Sequence, residues 1–286
     1  MKKTDSLKEI IARKKERIAL AKAAMPQEQL IAQSASLPAP RPFLEAINKP
    51  RNITLIAEVK KQSPSAGLIR ENFNHAEIAL AYQEAGAQAV SVLTEEDFFA
   101  GSPLFLNEIK AAVSLPLLRK DFIIEPYQVY ESRFYGADAI LLIADILSKD
   151  ALCEFITLAD TLGMDCLVEA HDEKELKKVL SLKVVPPQPA EAPALLKPAG
   201  KPKRKYIDFA VGINNRDLHT LATDLKTTEK LFPLVPKDRV AVVESGIKTY
   251  QDILFLKILG VSSVLVGESI LRSNDLQSSI QDLMGW

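Results

Sequence analysis

The chain has 286 residues, 47% of them hydrophobic, 26% charged and 6% aromatic, which excludes global disorder. No apolar run reaches the length of about 18 residues that a membrane-spanning helix needs. The net charge of −1 hides two basic segments, 1–24 and 183–206, each carrying +5, so the remaining body carries −11 and offers no broad face for nucleic acid.

Residues 6–24 (SLKEIIARKKERIALAKAA) read as a helix that stops before Pro26. A polar, Pro-rich stretch at 34–42 leads into a short apolar segment at 43–47. The pattern then becomes a repeat. Apolar, strand-like runs fall at 54–59, 89–93, 115–118, 138–144, 165–168, 208–213, 239–243 and 262–267, which makes eight. Helical patterns separate them: His75–Ala85, Leu104–Val113, Tyr127–Tyr135, Lys149–Leu162, Asp172–Leu180, Thr227–Leu234 and Thr249–Leu259, with Asp275–Met284 closing the chain. Gly86, Gly136, Gly163 and Gly260 stand where helix C-caps are expected.

Continuously apolar strands, each followed by a helix, imply parallel strands buried on both faces. Eight such units predict an α/β fold, a (β/α)8 TIM barrel, which needs about 250 residues; fewer units would favour an open doubly wound sheet, the alternative fold. The expected organisation is an N-terminal helical extension over 1–48 and the barrel over 49–286. One connection is oversized: 183–206 holds six prolines and six basic residues between the fifth helix and the sixth strand. It reads as a surface insertion on the face away from the site.

In such barrels function sits at the C-terminal ends of the strands. Glu58 and Lys60, two apart, share one face of the first strand with Ile56, leaving Val59 toward the helices. Lys120, Glu169, Asn214, Arg216, Ser245 and Gly267 terminate five others. Buried charges must be paired or used, so this set marks a site. Ser245-Gly246 and Gly267-Glu268, after the seventh and eighth strands, suit a phosphate group bound by backbone amides.

The dinucleotide fingerprint GxGxxG, the phosphate loop GxxxxGK[ST], HExxH and GxSxG are all missing. His75, His171 and His219 stand in unrelated contexts and read as cap or surface residues. No cofactor and no metal are expected. Cys153 and Cys166 form neither a disulfide framework nor a CxxC pair, which fits a reducing compartment. The N-terminus has no signal-peptide core, and Asp5, Glu9 and Glu16 argue against a transit peptide. A cytoplasmic protein is expected.

The segments IAEVKKQSPSAG, SVLTEEDFFAGS, LPLLRKDFI, GADAILLIA, LVEAH, VGINNRDL, VVESGI and VLVGESI, in this order from Leu44 to Arg272, resemble the indole-3-glycerol phosphate synthase family. The N-terminal helix resembles that family's extension, and the insertion at 183–206 departs from its pattern. The resemblance implies a lyase of tryptophan biosynthesis. It would convert 1-(2-carboxyphenylamino)-1-deoxyribulose 5-phosphate into indole-3-glycerol phosphate, CO2 and water. It implies Lys120 as general acid and Glu169 and Glu58 as catalytic carboxylates, with Glu169 as base. Burial or the field of Lys60 and Arg216 is expected to lower the Lys120 pKa. Lys60, Ser63, Phe99, Phe122, Asn214, Arg216 and Ser245 are implied substrate contacts, the two Phe rings for the anthranilate. Gly246, Gly267 and Glu268 are implied for phosphate.

The expected partner is a small phosphorylated substrate rather than nucleic acid or membrane. The chain is expected as a monomer or weak homo-oligomer, with association to other tryptophan-pathway enzymes as an open expectation. Two rival activities, a Schiff-base lyase and a silent phosphate-binding scaffold, use the same barrel. Phosphoribosylanthranilate isomerase is disfavoured because neither cysteine ends the first strand.

Overall fold

A computed structural model describes residues 6–49, 53–186 and 204–286. Eight parallel strands close into a barrel: β1 (Thr54–Val59), β2 (Ala89–Leu93), β3 (Leu117–Lys120), β4 (Ala139–Ile143), β5 (Asp165–Ala170), β6 (Ala210–Asn214), β7 (Ala241–Glu244) and β8 (Ser263–Val266). Each strand pairs with its sequence neighbours, and β8 returns to β1 through Thr54–Ser263 and Ala57–Val266. Closure leaves no sheet edge to protect.

Three helices precede the barrel: α1 (Ser6–Ala24), α2 (Gln27–Ser34) and α3 (Phe43–Ile47). The outer layer is α4 (His75–Glu84), α5 (Leu104–Ala112), α6 (Pro126–Phe134), α7 (Lys149–Thr161), α8 (Glu173–Leu180), α9 (Lys226–Leu231) and α10 (Tyr250–Leu259), followed by α11 (Glu268–Leu271) and α12 (Leu276–Met284). Local chemistry starts these helices where the chain needs them. Asn74 caps α4 by accepting from the Ala76 and Glu77 amides, and Glu125 with Gln128 forms a capping box ahead of Pro126 in α6.

The apolar residues sort into two buried layers. Leu55, Ala57, Val59, Val90, Val92 and Leu117 face the helices. Ile56, Ala89, Leu118, Leu141, Leu167, Val242 and Leu265 face the axis. The N-terminal extension packs against the axial core at both ends. Phe43 and Ile47 of α3 plug the bottom, where Leu44 N–H donates to Asp165 (3.0 Å) and Thr54 Oγ1 donates to Ile47 O (2.9 Å). Leu7 and Ile10 of α1 join the same core at the mouth.

Several strands run further than their apolar runs. β3 reaches Lys120, β5 Ala170, β6 Asn214 and β7 Glu244, each one or two residues beyond the expected end. Polarity marks a strand end in sequence, yet here the ladder continues because Lys120, Glu169, Asn214 and Glu244 line the open mouth rather than a dry core, while Ala170 packs against the helices. The short helix α11 was not anticipated. Of the insertion, 187–203 lie outside the described residues. Its flanks meet, since Ile207 N–H donates to Val184 O at 2.8 Å.

Candidate active site

A cavity of about 630 Å³ opens at the C-terminal ends of the strands. Every residue singled out above as a catalytic, substrate or phosphate contact lines it, brought in from seven of the eight strands or the loops that follow them. The exception is β4, which supplies Leu141 and Ile143 as apolar floor.

Alternation explains the centre. On β1, Ile56 and Glu58 point inward, and Glu58 is paired with Lys60. On β3, Leu118 and Lys120 point inward, and Lys120 Nζ lies 3.1 Å from Glu169 Oε2 and 3.0 Å from Glu244 Oε2. Glu58, Glu169 and Glu244 are all fully or nearly fully buried. Two glycines make room for them, Gly212 in the middle of β6 and Gly267 just past the end of β8. A Cβ at Gly212 would lie 2.6 Å from Glu244 Oε1, and one at Gly267 would lie 2.6 Å from Glu58 Oε2. Glycine at these positions is therefore required by the carboxylates themselves, a reason the sequence reading of Gly267 did not include.

The electrostatics correct one expectation. Burial works to lower the Lys120 pKa, but Glu169, Glu244 and Glu58 outweigh it and hold the pKa well above the ordinary lysine value. The nearest groups to Nζ are carboxylates, not Lys60 or Arg216. Burial would raise Glu169, yet Lys120 and His171 keep it below the usual carboxylate range. Glu244 goes the other way, raised by burial and by the Glu169 charge beside it. Two close carboxyls cannot both ionise freely, and the better-paired one keeps the charge.

The rest of the rim supplies polar and aromatic surface. Phe99 and Phe122 face each other with ring centroids 6.3 Å apart. Arg216 Nη1 donates to Ser65 Oγ (2.9 Å) and Leu221 O (3.1 Å), and Asn214 Oδ1 accepts from the Arg216 amide (2.9 Å). Ser63 Oγ accepts from the Ala66 amide at 3.1 Å. Ser245 (φ 64°) and Gly246 (φ 82°) are consecutive left-handed residues that turn the chain sharply at the end of β7. Left-handed backbone in a non-glycine residue is strained and collects at functional sites. The Glu268 carboxylate is occupied by Arg272 at 2.8 Å, so an anion here would meet backbone and the Lys248 and Arg272 side chains, which also line the cavity.

Two participants escaped the sequence reading. Glu244 was hidden by the Ser-Gly that follows it, although its two-residue spacing from inward-facing Val242 points it into the mouth. The sequence marks His171 only as a cap or surface residue. Its ring instead lies with Nε2 3.0 Å from Glu169 Oε1 and Nδ1 3.1 Å from Glu175 Oε2. The two-residue spacing from Glu169 was the available signal. Of the other histidines, His75 stacks on Phe105 at 4.2 Å and His219 sits 3.0 Å from Asp145.

Comparison with known proteins gives the family. The family profile described as indole-3-glycerol phosphate synthase matches residues 7–185 and 208–283, passing over the insertion. The chain belongs to this family. An indole-3-glycerol phosphate synthase of Rhodopirellula baltica is 40% identical over 278 residues, covering 97% of this chain and 98% of the relative. One from Acetivibrio thermocellus is 46% identical over 243 residues, covering 85% and 84%. Among solved structures, 3-hexulose-6-phosphate synthase from Salmonella typhimurium superposes with a TM-score of 0.55 at 14% identity, covering 82% of this chain and 97% of that one. That likeness shows the barrel alone. Membership of the indole-3-glycerol phosphate synthase family makes this chain a decarboxylating lyase of tryptophan biosynthesis with a phosphorylated substrate. Among the described residues, no helix is long and apolar enough to cross a membrane.

Proposed function

We propose that Lys120 is the general acid and Glu169 the base of ring closure, with Glu58 assisting and Glu244 tuning the pair. The substrate is 1-(2-carboxyphenylamino)-1-deoxyribulose 5-phosphate. Its carboxylate-bearing ring carbon attacks the ketone carbon, and Lys120 delivers a proton to the carbonyl oxygen. Breaking the ring-to-carboxylate bond releases CO2 and returns the electron pair to the benzene ring. The hydroxyl then leaves as water with a second proton, relayed from solvent by Glu58, and Glu169 removes a proton from the carbon next to nitrogen to complete the indole.

The contacts of Lys120 with Glu169 and Glu244 at 3.1 and 3.0 Å carry this reading. These carboxylates hold Lys120 as an ammonium, the form an acid must have. Its raised basicity does not stop the transfer, because the alkoxide forming on the ketone is a stronger base than an amine. Phe99 and Phe122 form the slot for the anthranilate ring, while Lys60, Ser63, Asn214, Arg216 and Ser245 hold the sugar and carboxylate. The turns at Gly246 and Gly267-Glu268 take the phosphate. Confinement between these ends folds the substrate back on itself, and near-attack geometry of this kind lowers a barrier by several kcal/mol.

Formation of indole-3-glycerol phosphate from the synthetic substrate, followed by fluorescence, tests the assignment. Lys120→Ala is expected to abolish most turnover, and full activity in that variant would refute the role of Lys120. Borohydride trapping of a lysine adduct would instead favour a Schiff-base lyase. We place the protein in the cytoplasm on its cysteine-poor composition, and as a monomer or weak homo-oligomer.

A further inference from the structure

We propose that His171 is a positioning residue: it fixes the Glu169 carboxylate in its working orientation and is itself fixed from behind by Glu175. The inference rests on Glu169 being the base.

Glu169 is gripped from two sides. Lys120 holds Oε2 at 3.1 Å, and His171 Nε2 reaches Oε1 at 3.0 Å. At this distance the imidazole and the carboxylate make a close, charge-assisted contact. On the far side of the ring, Nδ1 lies 3.1 Å from Glu175 Oε2, and the same oxygen accepts the His171 backbone N–H at 2.8 Å. Glu175 is set by the start of α8, where Asp172 caps the helix and accepts the Glu175 amide at 2.7 Å. The chain of contacts therefore runs from a helix N-terminal turn, through an imidazole, to a carboxylate on the cavity wall.

His171 is not among the residues lining the cavity, so it acts through Glu169 rather than on substrate. The groups facing Glu169 are Lys120 from β3, Glu244 from β7 and His171 beyond the end of β5, with Glu58 from β1 acting through Lys120. The imidazole faces Glu169 and Glu175. Burial works against its charge, but the two carboxylates push its pKa up to about 10, so it is imidazolium at neutral pH. A fixed cation on Oε1 favours ionised Glu169, and Oε2 already has Lys120. The carboxylate is thereby locked in rotation as well as in charge.

The test is the pH dependence of kcat and KM for His171→Asn and Glu175→Gln, measured beside wild type and Glu169→Gln. Asparagine keeps a donor but loses the charge. His171→Asn is expected to lower kcat roughly tenfold or more, with KM within about twofold of wild type. Removing a cation from beside a carboxylate raises its pKa, so the acid limb of the kcat profile should move up by about one pH unit. Glu175→Gln should lower kcat by a smaller factor. A His171→Asn profile that superimposes on wild type, or a change confined to KM, overturns the proposal. If Glu169→Gln keeps wild-type turnover, it is the reading of Glu169 as base that fails. A readout on the unmodified enzyme guards against misfolded variants. Nitrogen NMR of His171 at about pH 8 should show both ring nitrogens protonated, and a neutral ring would refute the inference.

Discussion

Two clusters of buried charge lie back to back across β3, and they are built for different ends. Strand alternation sends Lys120 inward and its neighbours Arg119 and Asp121 outward. The outer cluster is closed. Asp121 is 2.8 Å from Lys14 of α1 and 3.0 Å from Arg119, which is also 2.8 Å from Glu131 of α6. Arg119 further donates to Thr94 and Ser132, both at 3.1 Å. It touches the cavity only at Asp121. The inner cluster is open. Glu58, Glu169, Glu244, Lys60 and Lys120 all line the cavity, where a bound molecule can reach them. A closed set of charges fixes α1 and α6 to the barrel. An open set that borders a cavity is what a substrate and its moving protons require.

The comparison breaks most sharply if the two clusters respond alike to mutation. Lys120→Ala should cut turnover by roughly a thousandfold, with a smaller loss of stability than at Asp121 because water in the open cavity can reach the carboxylates it leaves behind. A large loss of stability would mean the inner cluster is also structural. Asp121→Asn should do the reverse, lowering unfolding free energy by about 3–5 kcal/mol, since it strands Lys14 and Arg119. Denaturant unfolding reads this directly.

The outer cluster also predicts a pH dependence. Burial would raise the Asp121 pKa, but Lys14 and Arg119 outweigh it and depress the pKa below its ordinary 3.8. A depressed carboxylate contributes stability that is present above 3.8 and lost as pH falls below it. Wild type should therefore show an acid-induced loss of stability that is weaker in Asp121→Asn. An identical acid profile for the two would show that Asp121 contributes nothing.

A smaller effect sharpens the division. Gly267→Ala places a Cβ 2.6 Å from Glu58 Oε2 and 2.9 Å from Glu58 Cβ. It should lower kcat by roughly tenfold through displacement of that carboxylate, and unchanged kcat would show that Glu58 has room to move. The smallest effect is expected far from both clusters. Val184 and Ile207 are hydrogen-bonded at 2.8 Å, so replacing 186–205 by a short linker should leave turnover unchanged. Loss of activity would show that the basic, Pro-rich segment serves the site.

The eight strands were legible because each buries both faces and so reads as an apolar run. Lys120, Glu169 and Glu58 were legible because charge at the end of such a run has few structural uses. Glu244 and His171 were less visible for opposite reasons. Ser245-Gly246 drew attention from the acid before it, and His171 lies just past its strand, where alternation is no longer guaranteed.

Amino-acid order alone settled the number of βα units, the family resemblance and which rim of the barrel holds polar groups, since periodicity and spacing are local properties. Only folding decided what those groups do to one another. The pKa of Lys120 is set by Glu58, Glu169 and Glu244, which arrive from three other strands. The space for Glu58 is set by a glycine on the neighbouring strand's end. Electrostatic fields and van der Waals room depend on distances across the barrel, and these exist only once the cylinder has closed.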